Sequence, residues 1–191
     1  MVKFSFFTLE ELSSDNLKLM HVLNKLSDAT KSDENKHLVR REVDFYLENL
    51  LCIVSAFDNE EFIGAAVVIR CLDNRTYEQL WDEESRLVVE LGSNYVDPKY
   101  QKNGIGEEFM KIRLNHCEQR GYFPVSVTSS KIVHKIFAKI NGVLLNEYPK
   151  YKDLCSRVRT CNCPKKQSYH NKNCEMKNKE VYGFRQFIEK A

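Results

Sequence analysis

The stretch YQKNGIGEEFM, residues 100–110, places two of the chain's seven glycines, Gly104 and Gly106, just ahead of a helical pattern. The apolar run RLVVELGSNYV, residues 86–96, precedes it and predicts a strand. Glycines at a strand-to-helix junction often serve an anion, because a helix N-terminus exposes unpaired amides. The alternative is a tight turn with a close packing contact. The stretch therefore predicts an anion-binding loop or a packed turn.

Two common phosphate-binding loops do not fit this stretch. The third glycine of a dinucleotide-binding fingerprint is missing, and no Gly-Lys-Ser/Thr closes a nucleoside triphosphate loop. Residues 101–106 instead form a complete Q-x-x-G-x-G.

Length and composition restrict the kind of protein that contains this loop. The 191 residues suffice for one hydrophobic core and predict a single domain over residues 1–191. The net charge of +2 gives no reason to expect a nucleic-acid partner. The N-terminal apolar run is too short for a secretory signal, and no stretch reaches the about eighteen apolar residues of a membrane span. We expect a cytoplasmic monomer or homodimer with no membrane partner.

The order of predicted elements indicates an α/β (α+β) fold with helices around a mixed central sheet. Helices are predicted over residues 16–26, 39–50, 105–120 and 131–140. Strands are predicted over residues 3–7, 50–58, 61–73, 86–96, 123–130, 143–151 and 180–190. A lysine- and cysteine-rich loop, at about residues 155–179, precedes the last strand.

With a strand before it and an amphipathic helix after it, the Q-x-x-G-x-G run resembles the pyrophosphate loop of the Gcn5-related N-acetyltransferase (GNAT) superfamily. The segments VDPKYQKNGIG, residues 96–106, and FAKINGV, residues 137–143, are also similar to that superfamily. The resemblance covers about residues 50 to 151 and includes the element order. It implies the GNAT fold, an N-acetyltransferase activity, and acetyl-coenzyme A (acetyl-CoA) as cosubstrate.

The resemblance also implies where acetyl-CoA is bound. The amides of residues 102–106 would cradle the pyrophosphate, and Lys102 would add a charge. The strand end would lie beside the pantetheine arm, splayed from its neighbour, and Gly92 is compatible with a bulge there. The implied coenzyme-binding residues are Asn94, Tyr95, Val96, Gln101, Lys102, Asn103, Gly104, Ile105, Gly106, Ser130 and Phe137.

Residues 127–151 resemble the invertebrate arylalkylamine (dopamine-type) acetyltransferases. In that group a serine-bearing strand end precedes the helix and a Y-x-x-Y follows the next strand, where Tyr148 and Tyr151 stand here. The resemblance implies a small primary amine as acceptor. Phe45, Tyr46 and Trp81 are candidates for lining an apolar acceptor pocket, with packing in the core or on the surface as the alternative.

Amine acetylation requires a proton acceptor, because an alkylamine with a pKa near 10.4 arrives protonated. Glu90 is the leading candidate: it lies eleven residues before Gln101, the offset of the general base in the histone-acetylating branch of the superfamily. The alternative is a structural carboxylate paired with a cation. Glu34 is the nearest equivalent of the catalytic glutamate of the arylalkylamine enzymes, and it is equally compatible with a helix N-terminal acid.

Two departures from the superfamily affect the leaving group. Phe137 stands where many members have a tyrosine that protonates the coenzyme thiolate. Ser129 matches the first member of a serine pair, while Val133 occupies the second position. His134 is a candidate replacement acid or a packed surface histidine.

The cysteines are interpreted as free thiols. Cys155, Cys161, Cys163, His170 and Cys174 suit zinc by residue type, but their spacing lacks the C-x2-C pairs of structural zinc sites, so we predict no metal.

Three functions remain open from sequence: a small-amine N-acetyltransferase, a protein or peptide N-acetyltransferase, and an acyl-CoA-binding sensor without turnover. Acceptor selectivity resides in loops, and it does not follow from the fold.

Overall fold

The computed structural model describes residues 1–8, 17–32, 38, 40–73, 75–128, 131–158 and 180–189. These residues contain seven strands: β1 Val2–Thr8, β2 Leu50–Asp58, β3 Glu61–Arg70, β4 Val88–Val96, β5 Phe123–Thr128, β6 Gly142–Leu144 and β7 Glu180–Phe184. They also contain six α-helices: α1 Leu17–Lys31, α2 Val43–Asn49, α3 Ile105–Arg120, α4 Lys131–Lys139, α5 Lys152–Arg157 and α6 Arg185–Ile188.

The strands form one mixed sheet in the order β1-β2-β3-β4-β5-β7-β6. Strands β1 to β4 are antiparallel neighbours, and β7 pairs antiparallel with both β5 and β6. Only β4 and β5 run parallel, and they pair over just three residues of each strand, Val88–Glu90 with Phe123–Val125. Beyond these residues the two strands separate. The predicted mixed sheet flanked by helices is confirmed.

Helices cover both faces of the sheet. On one face, α1 buries Leu19, Val22, Leu23 and Leu26 at helical spacing, and these pack with Tyr46 of α2 against β2 and β3. On the other face, α3 packs its apolar side against the opposite residues of the same strands. Because successive strand residues point to opposite faces, the near-continuous apolar runs of β2 and β3 are buried on both sides.

Helix α3 has the bounds that the sequence predicts. Gly104 at its N-cap has a φ of 81°, and Gly121 at its C-cap has a φ of 66°. Both are left-handed conformations in which glycine carries no steric penalty. The Gly121 amide donates to the carbonyls of Cys117 and Glu118, which closes the last turn.

Two predicted elements are shorter than expected. The helix predicted over residues 39–50 begins only at Val43, because the backbone of Arg41 is bound outside the helix: its N–H donates to Thr30 Oγ1, and its carbonyl accepts from Ser27 Oγ. The strand predicted over residues 143–151 ends at Leu144. Two 3₁₀ turns, residues 145–147 and 149–151, and helix α5 follow, and Pro149 at the start of the second turn lacks the N–H that a strand ladder requires.

The C-terminal prediction is correct for β7 and wrong beyond it, where residues 185–188 turn into the short helix α6. Among the described residues Cys52, Cys71, Cys117 and Cys155 form no disulfide. Cys161, Cys163, His170 and Cys174 lie outside the described residues, and the described ones contain no group of three or more metal-ligating side chains. In the described part of the chain, no helix is long and apolar enough to cross a membrane.

Candidate active site

A β-bulge lies in β4 next to the point where β4 and β5 separate. Ala65 pairs with Tyr95 and Val67 pairs with Gly92, so β4 has one residue more than β3 over this interval. Ser93 within the bulge has a φ of 44°, a left-handed conformation that is uncommon for serine. A bulge leaves ladder groups unpaired and re-aims the strand, and bulges are frequent beside active sites.

A cleft follows from the separation of the strands. Its walls come from the bulge of β4, the end of β5, helices α3 and α4, and the segment before α2. The lining residues are Leu38, Arg41, Glu90, Leu91, Gly92, Ser93, Asn94, Met110, Ser126, Val127, Thr128 and Val133. The structure thus brings the predicted residues Glu90 and Asn94 to one cavity.

The glycine loop lies between the end of β4 and the start of α3. Gln101 Nε2 donates to the carbonyl of Val96 at 3.0 Å, which fastens the loop to the strand. A Cβ placed on Gly104 would meet nothing within 4 Å, so the space over this residue is open. A Cβ on Gly106 would lie 3.9 Å from the Asn94 carboxamide, which connects the loop to the cleft.

The residues present fit acetyl-CoA. The N-cap of α3 makes no side-chain hydrogen bond, so no side chain covers the amides of its first turn from that position. Such a helix N-terminus, approached across glycine, suits a pyrophosphate. In the cleft, Asn94 Oδ1 is buried and has no hydrogen-bond partner among the described residues, and it would accept from an amide of the pantetheine arm.

An acid in the first turn of α3 is neutralised locally. Hydrogen bonds from Lys111 and Lys139 lower the pKa of Glu107. The two lysine ammonium groups lie 3.1 Å and 3.4 Å from its carboxylate oxygens. Because Lys111 and Lys139 neutralise Glu107, this charge leaves the loop compatible with an anionic ligand.

On the α1 and α2 side of the cleft, four side chains form a buried network that is called the Arg41 network below. Arg41 donates from Nη2 to both carboxylate oxygens of Glu90, at 2.8 Å and 2.9 Å, and from Nη1 to Ser93 Oγ at 3.1 Å. Tyr46 donates its hydroxyl to the same Ser93 oxygen at 2.9 Å. Arg41 is 4% exposed and Glu90 is 8% exposed, so this ion pair is almost fully removed from water.

Sequence reasoning missed Arg41 and Ser93 as functional residues. The sequence contained one signal, a glycine inside the strand at position 92. The structure explains it, because a Cβ there would lie 2.5 Å from Arg41 Nη1 and 3.0 Å from Glu90 Oε1. This glycine is therefore required by the close approach of the guanidinium, and the bulge itself is centred on the next residue. Burial raises the pKa of Tyr46, against the opposing influence of Arg41.

Phe137 and His134, two of the residues predicted to lie near the leaving group, are on α4, the helix that contributes Val133 to the cleft. Phe137 is fully buried against Tyr182 and Phe184, with ring centroids 4.8 Å and 5.5 Å away. His134 packs on Tyr182, and its Nε2 lies 3.6 Å from Glu180 Oε2. Neither Phe137 nor His134 lines the cleft as described, so their contact with the coenzyme stays a prediction.

Several sequence predictions fall elsewhere. Glu34, Ser129 and Ser130 lie outside the described residues. Trp81 is 52% exposed in the segment between β3 and β4 and does not line the cleft. Tyr151 is buried, and its ring stacks on Phe123 at 5.1 Å between centroids, which makes it a core residue.

Comparison with solved structures gives a set of similar folds at low sequence identity. ElaA of Escherichia coli matches with a TM-score of 0.56 and 13% identity, over 76% of this chain and 89% of that one. An acyl-CoA N-acyltransferase from Pseudomonas aeruginosa matches with a TM-score of 0.53 and 12% identity, over 75% and 90% of the two chains. No curated protein sequence matches the chain.

A third structure carries the coenzyme. N-acetylglutamate synthase from Neisseria gonorrhoeae, complexed with coenzyme A and N-acetyl-glutamate, matches with a TM-score of 0.56 and 13% identity, over 95% of this chain and 35% of that one. The model of the acetyltransferase (GNAT) family matches residues 18–142, which include the bulge, the glycine loop and the cleft. The chain therefore belongs to the GNAT family of acetyltransferases, enzymes that use acetyl-CoA.

Proposed function

We propose that this acetyltransferase transfers the acetyl group of acetyl-CoA to the primary amine of a small molecule, with an arylalkylamine as the first acceptor to test. The observation that carries the proposal is the cleft between β4 and β5, which has the glycine loop near one end and the Glu90 carboxylate in its wall. Acetyl-CoA supplies the acetyl group as a thioester. The protein must bind it, place the amine beside it and take up one proton.

We assign to Glu90 the role of the base that takes the proton from the amine. An alkylamine has a pKa of about 10.4 and enters the cleft as an ammonium ion, which a carboxylate in the wall attracts. Glu90 then takes the proton, directly or through one water molecule, and the neutral amine becomes the nucleophile. Asn94, which lines the same cleft, and the glycine loop beside it bind the coenzyme.

The ion pair with Arg41 gives Glu90 a second role. Both carboxylate oxygens accept from Arg41, so a proton that arrives at Glu90 competes with a buried guanidinium for the same oxygens. The pair also holds Arg41 against Ser93 in the bulge. This arrangement supports the alternative function, a coenzyme-binding sensor without turnover, as does a phenylalanine at position 137.

None of the predicted aromatic residues Phe45, Tyr46 and Trp81 lines the cleft as described. Phe45 packs against the Arg41 guanidinium, 5.2 Å from the ring centroid, and Arg41 itself lines the cleft. The Y-x-x-Y resemblance gives no support, because Tyr151 is packed in the core. A peptide acceptor remains the alternative within the enzyme class.

The first experiment is calorimetric titration with acetyl-CoA, followed by a panel of amines with thiol release as the readout. The panel contains tyramine, dopamine, serotonin, spermidine and a lysine peptide. Turnover of the aromatic amines supports the proposal, and turnover of the peptide alone moves the acceptor to the protein class. Binding of acetyl-CoA without turnover of any amine favours the sensor.

A further inference from the structure

Arg113 of α3 is a buried guanidinium without an acidic partner. It is 0% exposed, and among the described residues it forms no ion pair. Its Nη1 donates to the carbonyls of Val67 at 3.0 Å and Gly92 at 3.2 Å, and its Nε donates to the carbonyl of Phe109 at 3.1 Å. Buried charges are ordinarily paired, so an unpaired one in the core requires a reason.

The position of the two carbonyls gives the reason. Val67 and Gly92 are cross-strand partners at the place where the register of β3 and β4 shifts. A bulge disrupts the ladder there, and a buried carbonyl without a hydrogen-bond partner destabilises the fold. Arg113 satisfies both carbonyls from one nitrogen. A side chain of α3, the helix that begins at the glycine loop, therefore satisfies the carbonyls of the bulge.

Arg113 also adds a buried positive charge that forms no ion pair among the described residues, although the Glu90 carboxylate acts on it without direct contact. Burial lowers the pKa of Arg113 to about 10, so the guanidinium stays protonated at neutral pH. Burial raises the pKa of Cys52 to about 12 and also raises that of Cys117, so the neighbouring thiols stay neutral. The charge of Arg41 is offset by Glu90, whereas the charge of Arg113 has no such partner.

We propose that Arg113 is a positioning residue for acetyl transfer: by holding the carbonyls of Val67 and Gly92, it fixes the bulge and polarises the Gly92–Ser93 peptide for the thioester carbonyl. This inference rests on the proposed binding of acetyl-CoA in the cleft. A cation on the oxygen of a peptide group strengthens donation by the N–H of the same group, here that of Ser93. Donors fixed in advance where negative charge develops give large rate effects. The same positive charge favours departure of the thiolate, for which Phe137 offers no proton.

The test uses the full chain with three variants. Arg113→Met removes the charge and the donors, Arg113→Lys keeps the charge but loses the planar set of donors, and Arg120→Met is the control. Arg120 is an exposed residue in the last turn of the same helix, so its substitution removes a positive charge away from the bulge and from the glycine loop. Thermal unfolding establishes that each variant is folded. Calorimetry measures the Kd for coenzyme A, which carries no acetyl group.

The decisive readout is the carbonyl stretch of acetyl-CoA labelled with ¹³C at the thioester carbonyl, observed by difference infrared spectroscopy. We expect the stretch to fall on binding to the wild type and to Arg120→Met. It should fall less with Arg113→Lys and least with Arg113→Met, at a nearly constant Kd for coenzyme A. With an accepted amine, kcat of Arg113→Met should decrease about 100-fold, the size of an oxyanion-donor loss.

A stretch in Arg113→Met equal to that of the wild type overturns the inference and leaves the proposed function intact. If Arg113→Met does not fold, a stretch in folded Arg113→Lys equal to that of the wild type overturns the inference in the same way. A wild-type protein that does not bind acetyl-CoA overturns both the inference and the proposed function.

Discussion

The glycine loop and the Arg41 network flank the same strand, β4, and are built in opposite ways. The loop, residues 101–104, is exposed and would act through backbone amides and open space. The Arg41 network is buried and acts through side chains from three parts of the chain. Arg41 and Glu90 are 49 residues apart in sequence, whereas the whole Q-x-x-G-x-G motif spans six residues.

The difference decides what a substitution does in each region. The loop has a left-handed φ at Lys102, 68°, and at Gly104, 81°, and its side chains are exposed, so a change there has a small effect on folding and a direct effect on the ligand. In the Arg41 network, each group satisfies another in a setting of low dielectric. A change there leaves a partner unpaired, so folding and chemistry are affected together.

The largest effect that we expect comes from breaking the Arg41–Glu90 ion pair. Removing one partner leaves a buried charge, so Glu90→Gln and Arg41→Met should each lower the free energy of unfolding by about 3–5 kcal/mol. The double variant Arg41→Met/Glu90→Met should recover most of this loss, because no charge is then left unpaired. Denaturant unfolding measures all of these free energies.

Kinetics of the same variants separate the two roles of Glu90. If Glu90 takes the proton, Glu90→Gln lowers kcat about 10²- to 10⁴-fold while Arg41→Met retains more activity. Equal losses in the two single variants would contradict the base role and leave only the ion pair. Arg75→Met is the control: its ion pair with Asp153 is exposed, and its loss should cost at most about 1 kcal/mol.

Ser93→Ala tests whether the bulge depends on the Arg41 network. The substitution removes the oxygen that accepts from both Arg41 and Tyr46, so two buried donors lose a partner, at an expected cost of about 1–3 kcal/mol. Ser126→Ala is the matched control, because Ser126 is another buried serine of the cleft and, within the described part of the chain, its side chain makes one hydrogen bond, to the Leu91 carbonyl. It should cost less, and an equal or larger cost in thermal or chemical unfolding would show that the network is not tightly coupled.

The same contrast explains what could be predicted from sequence. The glycine loop, the sheet and the bounds of α3 depend on local spacing, which a single sequence contains. The start of α2 could not be predicted, because Thr30 and Ser27 bind the backbone of Arg41 through tertiary contacts. To predict the Arg41 network, one would have to know which residues come into contact across the sheet. Only Gly92 hinted at it, and glycine in a strand has several explanations.

In the loop, Gly104→Ala should separate ligand binding from folding. Alanine at a φ of 81° is strained by about 1–2 kcal/mol, although space for its methyl group is open. Gly121→Ala is a matched control, since this residue also has a left-handed φ and open space but lies at the other end of α3. We expect similar losses of stability in both variants and weaker binding of acetyl-CoA, measured by calorimetry, only in Gly104→Ala. Equal affinities would mean that the loop does not contact the coenzyme.

The smallest change in stability that we expect comes from Tyr46, and its pH dependence tests how well the hydroxyl is buried. Tyr46→Phe removes one hydrogen bond to Ser93 and should cost about 1 kcal/mol near pH 8. Because burial raises the pKa of Tyr46, the folded state keeps this proton at a pH where the unfolded chain, with a pKa of about 10, releases it. Ionisation of the unfolded chain therefore destabilises the wild type as the pH rises above about 10, and phenylalanine has no proton to lose. The stability difference between wild type and Tyr46→Phe, from denaturant unfolding at pH 8 and above pH 10, should shrink with rising pH. A constant difference would mean that Tyr46 is less shielded than the structure indicates, and that the Arg41 network is open to water at this end.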